Sequence, residues 1–211
     1  MKVIILANGA APTRCEVLQL LQEAEVIVCC DGAVDKLLQL GFMPTVIVGD
    51  GDSMSAMCRN RFASIIHIDK DVEINDLQKS IRYCIGQKWS AATILGGSGL
   101  REDHTLANLS ILLMYGKQID LQMVTDYGIF TPIYKTTTFP SHKGEQVSIF
   151  SFDRNTKLSF TNLLYSVNEH SFYHFWEGSL NQSLGDNFTV TMLNKGEVLV
   201  YQSVEYKTIT E

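Results

Sequence analysis

Hydrophobic and polar positions fall into two textures along this chain. From residue 1 to about 125, short apolar runs alternate with segments of helical spacing. Val3–Leu6, Val26–Cys29, Val46–Val48, Ile65–Ile68, Thr93–Leu95 and Leu121–Val124 are apolar at consecutive positions, and several are rich in β-branched residues. Strands of that kind suit a parallel sheet covered by helices. Between them, Leu77, Ile81, Cys84 and Ile85 recur at i, i+4, i+7 and i+8, and Leu106, Leu109 and Leu113 at i, i+3 and i+7, the stripes of amphipathic helices. Gly41 follows Leu37-Leu38-Gln39-Leu40, where a helix would stop. After about residue 126, Thr, Ser, Phe, Tyr and Asn dominate. Gln146–Phe152, Asn187–Met192 and Glu197–Val200 lie between Gly- and Asn-containing turns, an antiparallel β texture. The expected architecture is α/β plus all-β. An N-terminal, doubly wound, mostly parallel sheet with helices on both faces spans residues 1–130. An antiparallel β domain spans residues 131–211, with the boundary near Asp126–Thr138.

The bulk numbers narrow the class of function. The chain has 211 residues, 45% hydrophobic, which suits one large domain or two small ones. The formal net charge is −6 and Lys and Arg form no cluster, which argues against nucleic acid as a partner. No apolar run approaches the roughly 20 residues of a membrane span. The opening Met1–Ala7 is too short for a signal peptide and reads as a first strand. The five cysteines include no Cys-x-x-Cys pair and read as reduced core thiols of a cytoplasmic protein.

The chemistry concentrates where apolar runs end. Gly49-Asp50-Gly51-Asp52-Ser53 follows Val46–Val48 and sets two carboxylates two residues apart. Asp and Gly are ordinary turn formers, but two hard oxygen donors there also suit Mg²⁺ with substrate phosphates. Asp31 follows Val26–Cys29, as a helix-starting acid or as an acceptor for a ligand hydroxyl or metal-bound water. After Ile65–Ile68 come Asp69, Asp71, Asn75, Asp76 and Lys79. Asn75 is placed as an N-cap, with Lys79 one turn beyond Asp76, either a surface ion pair or a metal–phosphate set. Leu95-Gly96-Gly97-Ser98-Gly99 leads into a helix, as phosphate-binding turns do, but lacks the lysine of a Walker loop. Arg101 can grip phosphate oxygens. His104 and Asn108 fall on the helix side away from Leu106, Leu109 and Leu113, facing solvent or a ligand. Four strand exits carry Asp and a fifth carries Gly-Gly and Arg. The carboxyl ends of parallel strands share one edge, where open α/β sheets bind ligands. Acids crowded there need cations, and together with the glycine turn, Lys79 and Arg101 they point to Mg²⁺–nucleotide phosphates.

The order of these motifs resembles the thiamin pyrophosphokinase family. Its Asp-Gly-Gly-Ala-Asn, Gly-Asp-Phe-Asp-Ser, Asp-Gln-x-x-Thr-Asp-x-x-x-Lys and Gly-Gly-x-x-Gly-Arg-x-Asp-His match four segments here in order. They are Asp31-Gly32-Ala33-Val34-Asp35, Gly49–Ser53, Asp71 through Asp76 to Lys79, and Gly96-Gly97 to Arg101, Asp103 and His104. The resemblance implies transfer of pyrophosphate from ATP to the thiamin hydroxyl, giving AMP and thiamin diphosphate, with Mg²⁺ as cofactor and ATP as co-substrate. It assigns Asp50, Asp52 and Asp76 to the metal. Asp71, Lys79 and Arg101 join the catalytic set, one of the aspartates taking the hydroxyl proton. It assigns Asp31, Gly32, Asp52, Ser53, Asn75, Asp76, Gly97, Arg101, Asp103 and His104 to ATP. Asp103, Asn108, Trp176, Ser179 and Asn181 fall to thiamin. It also implies that the C-terminal domain is a β-sandwich contributing to the thiamin site in a homodimer, with Phe175–Asn181 resembling a Gly-Thr-Ser-Asn element and Leu163–Tyr165 a Gly-Leu-Lys-Tyr. Trp176 offers a flat face to a cationic ring, or belongs with Phe172, Tyr173 and Phe175 to the sandwich core. Departures from the pattern are Gly51 for an aromatic, Val72 for Gln, Ile74 for a polar residue, Asn75 for Thr, Leu100 for Gly and Leu180 for Ser. A non-catalytic thiamin or nucleotide sensor, and a diphosphotransferase acting on another heteroaromatic alcohol, are the competing readings.

Overall fold

The first strand, β1 (Val3–Leu6), has all four side chains buried, as an unbroken apolar run requires of a strand covered on both faces. It is followed by α1 (Cys15–Gln22), β2 (Val26–Cys30), α2 (Val34–Gln39), β3 (Val46–Gly49), α3 (Ala56–Arg61), β4 (Ile66–Ile68) and α4 (Asp76–Gly86). The chain then returns to the other side of β1 as β5 (Ala91–Leu95), and α5 (Glu102–Tyr115) leads to β6 (Asp120–Val124). The order across this sheet is β6-β5-β1-β2-β3-β4, with every pair parallel. Travel therefore reverses between β1 and β5. Right-handed crossovers place helices on opposite faces when travel reverses, and a crevice opens at that switch point beyond the carboxyl ends of the strands. The structure is a computed structural model and describes residues 1–204.

This first compact unit spans Met1–Asp126, and the second begins at Tyr127. The second unit contains β7 (Gly128–Ile133), β8 (Thr137–Pro140), β9 (Gln146–Ser151), β10 (Leu158–Thr161), β11 (Asn181–Gln182), β12 (Asn187–Met192) and β13 (Val198–Ser203). Within it, β11-β9-β13-β7 and β10-β12-β8 form two antiparallel layers. Alternate residues of the two layers make one core, including Val147, Ile149, Val198 and Val200 from the first and Phe139, Phe160, Phe188 and Val190 from the second. Phe139 and Phe188 are register partners, and their rings stack 5.1 Å apart. The expected α/β plus β-sandwich class is the observed one.

Two expectations are corrected, and one pair of open readings is decided residue by residue. The inward face of α5 is Asn108, Ile111, Leu112, Leu113 and Tyr115, whereas Leu106 is 65% exposed. Apolar residues are spread around the helix with no dominant side, so packing decides its orientation rather than the leucine spacing. Of the five thiols, four are buried, but Cys15 opens α1 on the surface. In the second unit Phe172 is core, while Tyr173, Phe175 and Trp176 are exposed.

Candidate active site

The site begins where β3 runs out. Gly49 closes the strand, and Asp31, from the exit of β2, fills the space a side chain would take there. A Cβ on Gly49 would lie 2.6 Å from the Asp31 carboxyl carbon. Asp31 is 1% exposed. Its Oδ2 accepts the Gly51 N–H at 2.8 Å, and its buried Oδ1 has no hydrogen-bond partner among the described residues. Gly51 takes φ +84°, a backbone that glycine adopts without cost, and its carbonyl accepts from Arg59 of α3. This turn brings one carboxylate oxygen each of Asp31, Asp50 and Asp52 within 4.8 Å of one another. Burial, then the charge of neighbouring Asp76, pushes the Asp31 carboxyl up to about 6. The Asp52 N–H and Lys79 hold Asp50 below the usual carboxylate range.

Helix α4 delivers the counter-charge. Asn75 accepts the Gln78 N–H at 2.9 Å, and the Gln78 side chain returns the bond at 3.3 Å, a capping box that fixes the first turn. Asp76 and Lys79 follow on that turn. Lys79 is buried, with Nζ 3.1 Å from Asp76 and 3.3 Å from Asp50, so of the two readings the surface ion pair does not hold. Burial opposes its charge, but the bonds from both acids outweigh this and raise its pKa. Asp71 instead faces Arg82, at 2.9 Å, outside the three-acid group.

The third wall is the glycine turn after β5. Gly96 (φ +64°) packs so closely on the Ala7 carbonyl that a Cβ would lie 2.5 Å from it. The exit of β1 is stitched to this turn by Gly9 N–H to Gly96 O at 2.7 Å and Ala10 N–H to Ser98 O at 2.8 Å. Asn108 donates to Gly97 O at 2.8 Å and accepts from Asn75 at 3.4 Å, which explains why α5 turns this polar residue inward. Arg101 is exposed and held in a two-pronged pair with Asp103, at 3.1 and 2.6 Å. Leu100, between Gly99 and Arg101, takes φ +67°.

These walls enclose a cavity of about 390 Å³. Of the residues assigned to ATP or thiamin, Ser53, Asn75, Asp76, Gly97, Arg101, His104 and Asn108 line it. The acid turn adjoins through Asp76 and through Ser53, whose hydroxyl donates to Asp52 at 2.9 Å. Asn8 and Gly9 also line it, and the reading of the sequence passed over them. They follow the first apolar run as a turn pair, which is the signal that marks the other strand exits. Gly32 packs beside them, since a Cβ there would meet the Asn8 amide nitrogen at 2.4 Å.

In the second unit, Trp176 is 74% exposed, and the Ser179 hydroxyl donates to its carbonyl at 2.8 Å. Asn181 is buried and spent on the Tyr165 backbone, accepting at 2.9 Å and donating at 2.8 Å. Leu180 takes φ +58°.

Residues 17–124 match the family model described as thiamin pyrophosphokinase, catalytic domain. Residues 128–201 match thiamin pyrophosphokinase, substrate-binding domain. A Caenorhabditis elegans protein named thiamin pyrophosphokinase 1 is 35% identical over 125 residues, covering 54% of this chain and 50% of that protein, so the chain spans about half the length of that curated relative. The fold is shared with solved structures. A thiamine pyrophosphokinase from Bacillus subtilis superposes with a TM-score of 0.82 at 18% identity, over 97% of this chain and 100% of the other. One from Candida albicans superposes with a TM-score of 0.80 at 15% identity, over 96% and 90%. With both of its units matched in order, the chain belongs to the thiamin pyrophosphokinase family.

Proposed function

We propose that this chain transfers a pyrophosphoryl group from ATP to the hydroxyl of thiamin, releasing AMP and thiamin diphosphate. The observation that carries this reading is the meeting of Asp31, Asp50 and Asp52 within 4.8 Å beside a cavity rimmed by a glycine turn. The Oδ1 of Asp31, buried and without a hydrogen-bond partner among the described residues, fits a cation. Mg²⁺ suits such a set of hard oxygen donors, and Asp31, Asp50 and Asp52 would hold it, with Asp76 adjoining. Once bound, it neutralises phosphate charge and orients the phosphate chain for displacement.

The chain's own groups supply the rest. Asp31 and Gly51 hold the acid turn in one conformation, so the carboxylates converge without reorganising. Lys79 offsets the crowding of Asp50 and Asp76 and adds fixed positive charge where the leaving and transferred phosphates gather negative charge. The glycine turn offers backbone approach to the phosphates. Arg101, once released from Asp103, supplies a second cation at the rim. An aspartate of the cluster accepts the hydroxyl proton, and Asp76, which lines the cavity, is the candidate. The exposed Trp176 face and Ser179 serve the thiamin rings. Exposed Tyr165, Tyr173, Phe175 and Leu180 in the same unit support a homodimer. Reduced thiols, and the absence among the described residues of a helix able to cross a membrane, support a cytoplasmic setting.

Incubation with ATP, Mg²⁺ and thiamin, followed by chromatography for AMP and thiamin diphosphate, tests the reading. Tight thiamin binding without AMP would replace it with a sensor. AMP formed only with another alcohol would move the substrate.

A further inference from the structure

The loop after β1 stands at the switch point of the sheet, where Asn8 and Gly9 line the cavity. Lys36 of α2 reaches into it, and its Nζ donates to Asn8 O, Gly9 O and Asn8 Oδ1, each at 2.8 Å. An ammonium has three protons, so Lys36 is fully used and has no hydrogen left for a ligand. Its influence passes through Asn8. Because Oδ1 must face the donor-only ammonium, Nδ2 is the other branch of the amide. It lies against Gly32, and it has no hydrogen-bond partner among the described residues. The same loop is held on its far side by the bonds of Gly9 and Ala10 to the glycine turn. A rigid loop thus offers a neutral N–H donor beside a fixed, half-buried positive charge.

We propose that Asn8 binds an oxygen of the nucleotide's phosphate chain through Nδ2, and that Lys36 is the positioning residue that fixes this amide and biases the spot toward an anion. The inference rests on the nucleotide reading of the cavity. A donor-only atom selects an acceptor-only group, and the nearby ammonium strengthens the bond when that acceptor is charged.

The test is calorimetric titration of Mg²⁺–ATP into wild type, Asn8→Asp, Asn8→Ala, Lys36→Met and Lys36→Arg, with a melting curve and a thiamin titration for each. Asn8→Asp keeps an oxygen for Lys36 but replaces the donor with a negative oxygen. It is expected to weaken ATP at least tenfold while melting at or above the wild-type temperature. Asn8→Ala weakens ATP about fivefold, Lys36→Met does so several-fold, and Lys36→Arg regains most of that loss, with thiamin affinity unchanged throughout. ATP affinity within twofold of wild type in both Asn8 variants overturns the inference and leaves the proposed activity standing. Parallel loss of melting temperature and of both affinities makes Asn8 structural and overturns it too. Wild type that binds no Mg²⁺–ATP removes the nucleotide reading, and this inference with it.

Discussion

Lys79 Nζ lies 3.3 Å from the Asp50 carboxylate although 29 residues separate them. The bond joins the first turn of α4 to the exit of β3, and it is made by a lysine that is 3% exposed. Lysines are seldom buried without a partner, and this one has two. Lys79→Met would leave Asp50, Asp76 and Asp31 mutually repelling. Urea denaturation is expected to show a loss of about 2 kcal/mol, with turnover lower by orders of magnitude. A variant as stable as wild type would mean that the pair is incidental.

Asp52 is exposed and makes few contacts, so its value lies in what it binds. Asp52→Asn is expected to lower turnover by orders of magnitude while leaving the circular dichroism spectrum and metal-free melting temperature unchanged. Near-normal turnover would sink its metal role.

Asp31 makes stability depend on pH in a stated direction. Its folded pKa of about 6 lies above the ordinary carboxylate value of 3.8. Between these values the folded state holds the proton more tightly, so metal-free stability is greatest below the lower value and is lost as pH rises through the upper one. Asn at this position still accepts the Gly51 N–H. The melting temperature of Asp31→Asn minus that of wild type, without metal, should be near zero at pH 4 and clearly positive at pH 7. A gap that does not change with pH refutes the assignment.

Leu100 and Leu180 both occupy left-handed backbone, at φ +67° and +58°, and both are mostly exposed. A side chain in that region costs roughly 1 kcal/mol. Leu100→Gly and Leu180→Gly should each stabilise the chain by up to about 1 kcal/mol, the gain being reduced by the greater freedom of glycine in the unfolded state. Thermal denaturation that shows either variant to be less stable would mean that the leucine side chain makes a contact worth more than the strain.

Short-range chemistry made much of this fold legible. The two-sided apolar runs of β1, β2 and β3 suit central strands, and Asn75 as N-cap with Asp76 after it announces the start of α4. What escaped notice is long-range. The fit of Asp31 against Gly49 and Gly51, and the grip of Lys36 on Asn8, join residues far apart in sequence, up to 28 positions for Lys36 and Asn8, that no local pattern links. Asn108 facing inward contradicts the leucine spacing because one buried amide, holding Gly97 and Asn75, outweighs an exposed Leu106. Strands β7, β8 and β10 carry the Thr, Phe and Ile that favour strands, but Gly, Ser and Pro interrupt the runs, so no clean alternation marks them.

The capping box sets where this sequence can change length. Residues 69 to 74, ahead of Asn75, include the exposed Val72 and Glu73, so a change of length there leaves the helix itself in place and shifts only Asp71 and its pair with Arg82. From Asn75 to Ser80 the situation reverses. Each residue added or removed turns everything beyond it by about 100° around the helix axis. One such step would swing Lys79 away from Asp50 and Ser80 away from the 3.3 Å contact with Cys30. Related chains should therefore keep the spacing from cap to lysine fixed.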